Sequence, residues 1–144
     1  MRFQYNDGGR KLAGYKSTTS DCVVRAISIV TNLPYQKVYD DINLLARDER
    51  ITKRRTTKSS SSNGVYKCTY TKYLEKLGFK WVPTMFIGKG CQVHLKENEL
   101  PKGRLIVRLS KHLTSVIEGV IHDIYNPDRE GTRCVYGYYI KEEV

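Results

Sequence analysis

The spacing of apolar side chains predicts three helices in the first half of the chain. Apolar residues recur through residues 22–30, and again at Val38, Ile42 and Leu45 after Pro34, with the spacing of one helix face. A third helix is predicted over residues 69–77, where Gly78 follows the last apolar position and favours termination. Ser20 and Asp21 precede the first helix and predict a side-chain cap at its start.

Extended segments dominate the remainder of the chain. Short strands are predicted at residues 79–83 and 85–87, and longer ones near 104–109, 112–117, 120–125 and 133–140, from their apolar and β-branched composition. Residues 1–20 are polar and carry several glycines, which predicts irregular structure. Helices followed by an antiparallel sheet indicate an α+β fold, formed by one domain over residues 1–144.

Cys22 opens the first predicted helix and is the first candidate for chemistry. The positive end of a helix dipole stabilises a thiolate relative to a thiol. A buried structural cysteine is the competing interpretation, because most helical cysteines are small core residues. A nucleophile also needs a base, and the C-terminal strands supply a candidate.

That base is His112, at the start of a predicted hairpin. If Glu118-Gly119 forms a two-residue turn, then Ile117 pairs with Val120. This register puts His112 and Asp123 on one face as diagonal neighbours within side-chain reach. A carboxylate beside an imidazole fixes its tautomer and stabilises the imidazolium.

The chain therefore resembles the papain-like cysteine peptidases, most closely the small bacterial enzymes that process leader peptides of exported bacteriocins. That family has an Asp-Cys pair at its helix start, matched by Asp21 and Cys22, and a downstream strand histidine, matched by His112. Its third catalytic member precedes a proline, which points to Asn126 before Pro127. The resemblance covers residues 14–30 and 104–128.

The resemblance implies a papain-like fold and a cysteine-dependent peptidase or isopeptidase that acts on a peptide or protein through an acyl-enzyme, without a cofactor or metal. The family's oxyanion-binding glutamine is replaced here by Lys16, and the glycine after its cysteine by Val23. Lys16 can still donate to an oxyanion, beside the N–H of Cys22. Acyl transfer, or a fold that has lost its activity, fits the same residues.

The two arguments differ on the third catalytic residue. The predicted hairpin register favours Asp123, whereas the family pattern favours Asn126. Because side chains alternate along a strand, a one-residue change in the turn would reverse the choice. We prefer Asp123 on charge and on the simplest turn.

The charge balance of the chain predicts a basic surface. The chain has 25 Lys and Arg against 15 Asp and Glu, a net charge of +10. Residues 47–58 hold six basic and two acidic side chains and run into a serine-rich stretch, so residues 47–64 are predicted to form a flexible insertion. Such a segment can bind nucleic acid or an acidic partner. A non-enzymatic basic module that binds nucleic acid or a protein, with Cys22 buried, is thus the alternative function.

The remaining sequence patterns bear on cellular location, source and the role of the other cysteines. The N-terminus lacks the apolar segment of a signal peptide, and no apolar run is long enough for a membrane span, which predicts a cytoplasmic protein without a membrane partner. The size and charge suggest a bacterial or phage protein. Cys68, Cys91 and Cys134 are widely spaced and are predicted to be core or incidental thiols rather than metal ligands.

Overall fold

The computed structural model describes residues 1–15 and 20–141. Within them the elements are, in chain order, β1 (Arg2–Tyr5), α1 (Cys22–Thr31), α2 (Tyr35–Ala46), α3 (Lys67–Lys76), β2 (Phe79–Pro83), β3 (Met85–Phe86), β4 (Gly90–Cys91), a short 3-10 helix (Glu97–Glu99), β5 (Arg104–Leu109), β6 (His112–Ile117), β7 (Val120–Asp123) and β8 (Gly137–Lys141). No helix in these described ranges is both long and apolar enough to cross a lipid bilayer.

The main sheet has six strands in the order β1-β7-β6-β5-β8-β2, and β3 and β4 form a separate two-stranded hairpin. All neighbours in the main sheet run antiparallel except β1 and β7, which are parallel. The predicted α+β class is confirmed, with three helices and a mostly antiparallel sheet in the described part of the chain.

The start of the chain differs from the prediction. Residues 2–5 form strand β1, which extends the sheet at its edge beside β7. All four residues of this strand are exposed, so no buried face imposes an alternation on its sequence. At the other end of the chain, the last strand begins at Gly137 rather than at Arg133.

Helix α1 lies at the centre of the molecule. Its residues from Val23 to Val30 are all buried, as expected for a helix whose sides are nearly all apolar. The helix packs against β6 and β5 on one side and α2 on another. At its C-terminus, the Arg104 guanidinium of β5 donates to the carbonyl oxygens of Ile29 and Val30 at 2.8 and 2.7 Å. These bonds satisfy carbonyls that have no partner inside the helix and fix α1 to the sheet.

The β6–β7 hairpin has the predicted register. Ile117 pairs with Val120 across the turn. Glu118 and Gly119 adopt φ angles of 48° and 78°, the left-handed conformation that a two-residue turn of this kind requires at both positions. The simplest turn is therefore the one the chain forms, and it determines which side chains of β7 lie near His112.

The basic and serine-rich stretch is divided in two. Residues 50–58 are all exposed, in keeping with a solvated segment, and Glu49 just before them is partly buried. Ser59 and Ser61 are buried instead, and the Ser61 hydroxyl donates to the Tyr39 carbonyl at 2.7 Å. The serine-rich end of the predicted insertion at residues 47–64 is therefore partly buried and hydrogen-bonded to α2.

Two of the cysteines also depart from the prediction. Cys91 and Cys134 form a disulfide, so they are not core or incidental thiols; it links β4 to the segment before β8. Cys68 is an exposed free thiol and Cys22 a half-buried one. Among the described residues, no group of three or more His, Cys, Asp or Glu is arranged to hold a metal ion.

Candidate active site

The site is built at the start of α1. Cys22 is the first helical residue, and Asp21 occupies the capping position. In the described structure the Asp21 side chain makes no capping hydrogen bond, so the predicted side-chain cap is wrong. Its carboxylate is 1% exposed and binds Arg10, Arg25 and Tyr35 instead. Asp21 thus anchors the helix start through buried ionic contacts.

Across from the helix start lies the end of the β6–β7 hairpin. The Nε2 atom of His112 is 2.8 Å from Oδ2 of Asp123, and the Thr114 hydroxyl donates to the same oxygen at 2.7 Å. The second oxygen of Asp123 accepts from the Ile124 N–H at 2.7 Å. Asp123 is buried, and these contacts hold it in one orientation toward the histidine ring.

The thiol of Cys22 is the third member of a hydrogen-bonded row, Cys22–His112–Asp123. It is hydrogen-bonded to His112 and also accepts from the backbone N–H of Leu113. Since Nε2 of His112 is occupied by Asp123, Nδ1 is the ring nitrogen available to the sulfur. The structure therefore brings together Cys22, His112 and Asp123, three residues that the sequence singled out.

The protonation of this row follows from its contacts. Burial works against a charged His112, but its hydrogen bonds to Asp123 and Cys22 outweigh burial and raise its pKa to about 9. Burial likewise opposes a Cys22 thiolate, yet the hydrogen bond and charge of His112 bring the thiol's pKa below its ordinary value. For Asp123, burial is outweighed by the bonds from His112 and Thr114, which lower its pKa. Each of these shifts favours the charged form of its group, a thiolate on Cys22 and an imidazolium on His112.

Asn126 occupies a different place. It is exposed, and its side-chain oxygen accepts from the Asp128 N–H at 3.0 Å within its own loop. Asp123 lies against the histidine ring instead, so the geometry agrees with the hairpin register rather than with the Asn-Pro pattern. Lys16 lies outside the described residues.

Arg25 is the residue of this site that the sequence interpretation missed. It lies one helical turn after Cys22, is 4% exposed, and forms an ion pair with Asp21. Its Nη2 atom is also 3.8 Å from Oδ1 of Asp123. One buried guanidinium thus connects the carboxylate at the helix start with the carboxylate behind His112. The available signal was a single arginine within an otherwise apolar helical run, four residues after an aspartate.

The row opens into a cleft of about 560 Å³. Cys22, His112 and Tyr125 line it, and the Tyr125 ring lies 5.2 Å from the His112 ring, centroid to centroid. Residues 63–67 also line the cleft, just beyond the buried serines. The end of the serine-rich stretch is therefore part of the site. A half-buried thiol next to a charged imidazole in an open cleft is accessible to an electrophile.

His122 and His94 lie apart from this row. The His122 Nδ1 atom is 3.4 Å from the Asn6 amide nitrogen, on the strand face opposite to Asp123 because side chains alternate along a strand. His94 is paired with Glu99, whose oxygen is 3.2 Å from its Nδ1.

Comparison with known proteins adds no further constraint: no family model, curated protein or solved structure matches this chain.

Proposed function

We propose that this protein is a cysteine-dependent hydrolase, a peptidase or isopeptidase of papain-like type. The observation that carries the proposal is the hydrogen-bonded row Cys22–His112–Asp123 at the wall of an open cleft. A helix-start nucleophile, a strand histidine and a carboxylate behind it form the arrangement that activates a thiol. A purely structural cysteine requires neither a buried carboxylate behind the histidine nor access to a cleft.

The chemistry follows from the ion pair. The Cys22 thiolate attacks the carbonyl carbon of an amide, and the carbonyl oxygen takes up the negative charge. As the C–N bond breaks, the His112 imidazolium gives its proton to the leaving nitrogen, which departs as an amine. The neutral imidazole then takes a proton from water, whose hydroxide attacks the thioester. The C–S bond then breaks and the acid product leaves, so that Cys22 is again a thiolate beside the imidazolium formed with the proton from water.

Residues around the row support the other requirements of this reaction. The first N–H groups of a helix have no partner within it, so the N–H of Cys22 is positioned to donate to the oxyanion. Asp123 stabilises the imidazolium throughout and prevents the ring from rotating away. The N-terminal helix with the nucleophile, packed on a sheet that presents histidine and acid, is the feature that favours a papain-like fold.

The cytoplasmic location stays a prediction, and one structural feature weighs against it. Disulfides persist mainly in oxidising compartments, and the Cys91–Cys134 bond joins segments 43 residues apart in sequence. The nucleic-acid or acidic partner of the basic segment at residues 47–58 also stays a prediction.

The proposed activity can be tested with a proteome-derived peptide mixture. We expect incubation with the protein to generate new peptide termini detectable by mass spectrometry, and prior alkylation of the protein with iodoacetamide to prevent them. Cleavage that survives complete alkylation of Cys22 would contradict the proposal. So would a failure to cleave peptides, folded proteins or isopeptide-linked conjugates under conditions in which Cys22 is shown to be reactive.

A further inference from the structure

Apart from the Cys22 thiolate, the charged side chains described along the cleft are all cationic. Those that line it in the described residues, apart from His112, are Arg25, Lys67, Arg108 and Lys111, with no carboxylate among them. Arg25 is committed to its buried ion pairs. The other three cations line the same cleft as Cys22.

Lys67 and Arg108 are held in place by aromatic rings. The Lys67 ammonium lies 4.4 Å from the centre of the Trp81 ring, and the Arg108 guanidinium lies 5.4 Å from that of Tyr136. Arg108 also forms a hydrogen bond with the Tyr70 hydroxyl. Contacts of this kind orient a cation without neutralising its charge.

Lys67 and Arg108 are not paired with any carboxylate of the described residues. In the described part of the chain, neither Lys67 nor Arg108 has a carboxylate oxygen within 4 Å. Burial and the nearby Arg108 charge together lower the pKa of Lys67. Two like charges placed together without a counterion destabilise the free protein, and a bound anion would relieve that repulsion.

The surface beyond the two cations is apolar. A second cavity shares Lys67 and Arg108 with the first and continues to Met85, Phe86 and Ile87 on the β3–β4 hairpin. Phe86 is 54% exposed and Ile87 is fully exposed. An extended chain can therefore lie from Cys22 past the cation pair to an apolar surface.

We propose that Lys67 and Arg108 bind the side-chain carboxylate of an Asp or Glu close to the scissile bond, so that the substrate is an acidic peptide segment with an apolar residue beside the acid. This inference rests on the proposed hydrolase function and specifies its substrate class. The substrate carboxylate supplies a counterion to the two cations, and the β3–β4 hairpin contacts the apolar neighbour.

Matched peptides test the inference directly. The cleaved peptides first show which position near the scissile bond is enriched in Asp and Glu. Peptides are then synthesised with Glu, Gln or Lys at that position. We expect kcat/KM for the Glu peptide to exceed that for the Gln peptide by about 10-fold or more, since charge-assisted hydrogen bonds are among the strong ones. Lys67→Glu should reverse the order so that the Lys peptide is preferred, and Arg108→Gln should reduce the Glu preference.

Lys80→Glu is the matched control, because Lys80 is an exposed lysine on β2 that faces away from Trp81. It makes the same change in net charge outside the cleft and should leave the preference unchanged. Cleavage without any preference for acids, or an equal effect of Lys80→Glu and Lys67→Glu, would overturn the inference while leaving the hydrolase intact.

A second readout does not require a substrate. Iodoacetate and iodoacetamide alkylate the same thiol but differ by one negative charge. The rate of Cys22 alkylation by iodoacetate, divided by the rate with iodoacetamide, should be lower in Lys67→Gln and in Arg108→Gln than in the native protein. An unchanged ratio would count against an anion site. Tight binding of a single-stranded oligonucleotide that is lost in both variants, together with no acid preference, would replace the peptide by a nucleic acid and overturn the proposal.

Discussion

Replacing Cys22 with alanine is expected to reduce hydrolysis to the background rate while the fold persists. Loss of a nucleophile that works as one unit with its base lowers kcat on the order of 10⁶-fold in a well-studied protease. The thiol is only half-buried at the wall of the cleft, so its removal leaves no deep cavity. We therefore expect a change in the free energy of unfolding within about 1 kcal/mol, measured by chemical denaturation beside a peptide cleavage assay.

Cys68→Ala is the matched control, because Cys68 is the other free thiol in the described structure and is exposed. It should retain both activity and stability. Activity in Cys22→Ala, or loss of its cooperative unfolding transition, would show that Cys22 serves the core rather than the chemistry.

Asp123→Ala and Asn126→Ala should differ strongly in activity. Asp123 contacts the ring nitrogen of His112 at 2.8 Å, whereas the Asn126 side chain contacts its own loop. Without Asp123 the imidazolium loses its stabilising carboxylate and its fixed orientation, which should lower kcat/KM by about 10²-fold or more. Asn126→Ala should change it by less than about 3-fold, as expected for a surface position away from the chemistry.

Asp123→Asn separates charge from hydrogen bonding at this position. It keeps a polar side chain near Thr114 and the Ile124 N–H but removes the negative charge, so we expect activity close to that of the alanine variant. If Asn126→Ala were the damaging change and Asp123→Ala were silent, the family's Asn-Pro pattern would be the correct guide to the third member.

The parts of the site that the sequence predicts are those governed by local rules. Helix α1 begins at Cys22 because an apolar run starts there, and it ends where Asn32 adopts a left-handed conformation with a φ of 61°. The hairpin register follows from the turn at Gly119, and the register alone places Asp123 beside His112. The period of apolar residues and the turn type are both properties of neighbouring residues.

The missed parts depend on contacts between distant segments. Strand β1 is recognisable only through its parallel pairing with β7, more than a hundred residues away. The Arg10–Asp21–Arg25 cluster needs the N-terminal segment to fold back over α1. Gly8 permits that approach: its φ is 71°, and a Cβ there would lie 3.1 Å from the Arg25 carbonyl oxygen. No local pattern encodes such pairings, and the same applies to the Cys91–Cys134 disulfide.

The central claim is that Cys22 rests as a thiolate paired with the His112 imidazolium. Its most direct test is the rate of Cys22 alkylation by iodoacetamide as a function of pH, followed by peptide mass spectrometry so that Cys68 is scored separately. A lowered Cys22 pKa means that the thiolate is present at every pH above it, and a His112 pKa of about 9 means that the imidazolium persists until that pH. We predict a first rise in rate below pH 8.5, the ordinary pKa of a thiol, and a second near pH 9; His112→Ala should abolish the early rise. A single rise at or above pH 8.5, unchanged in His112→Ala, would contradict the ion pair.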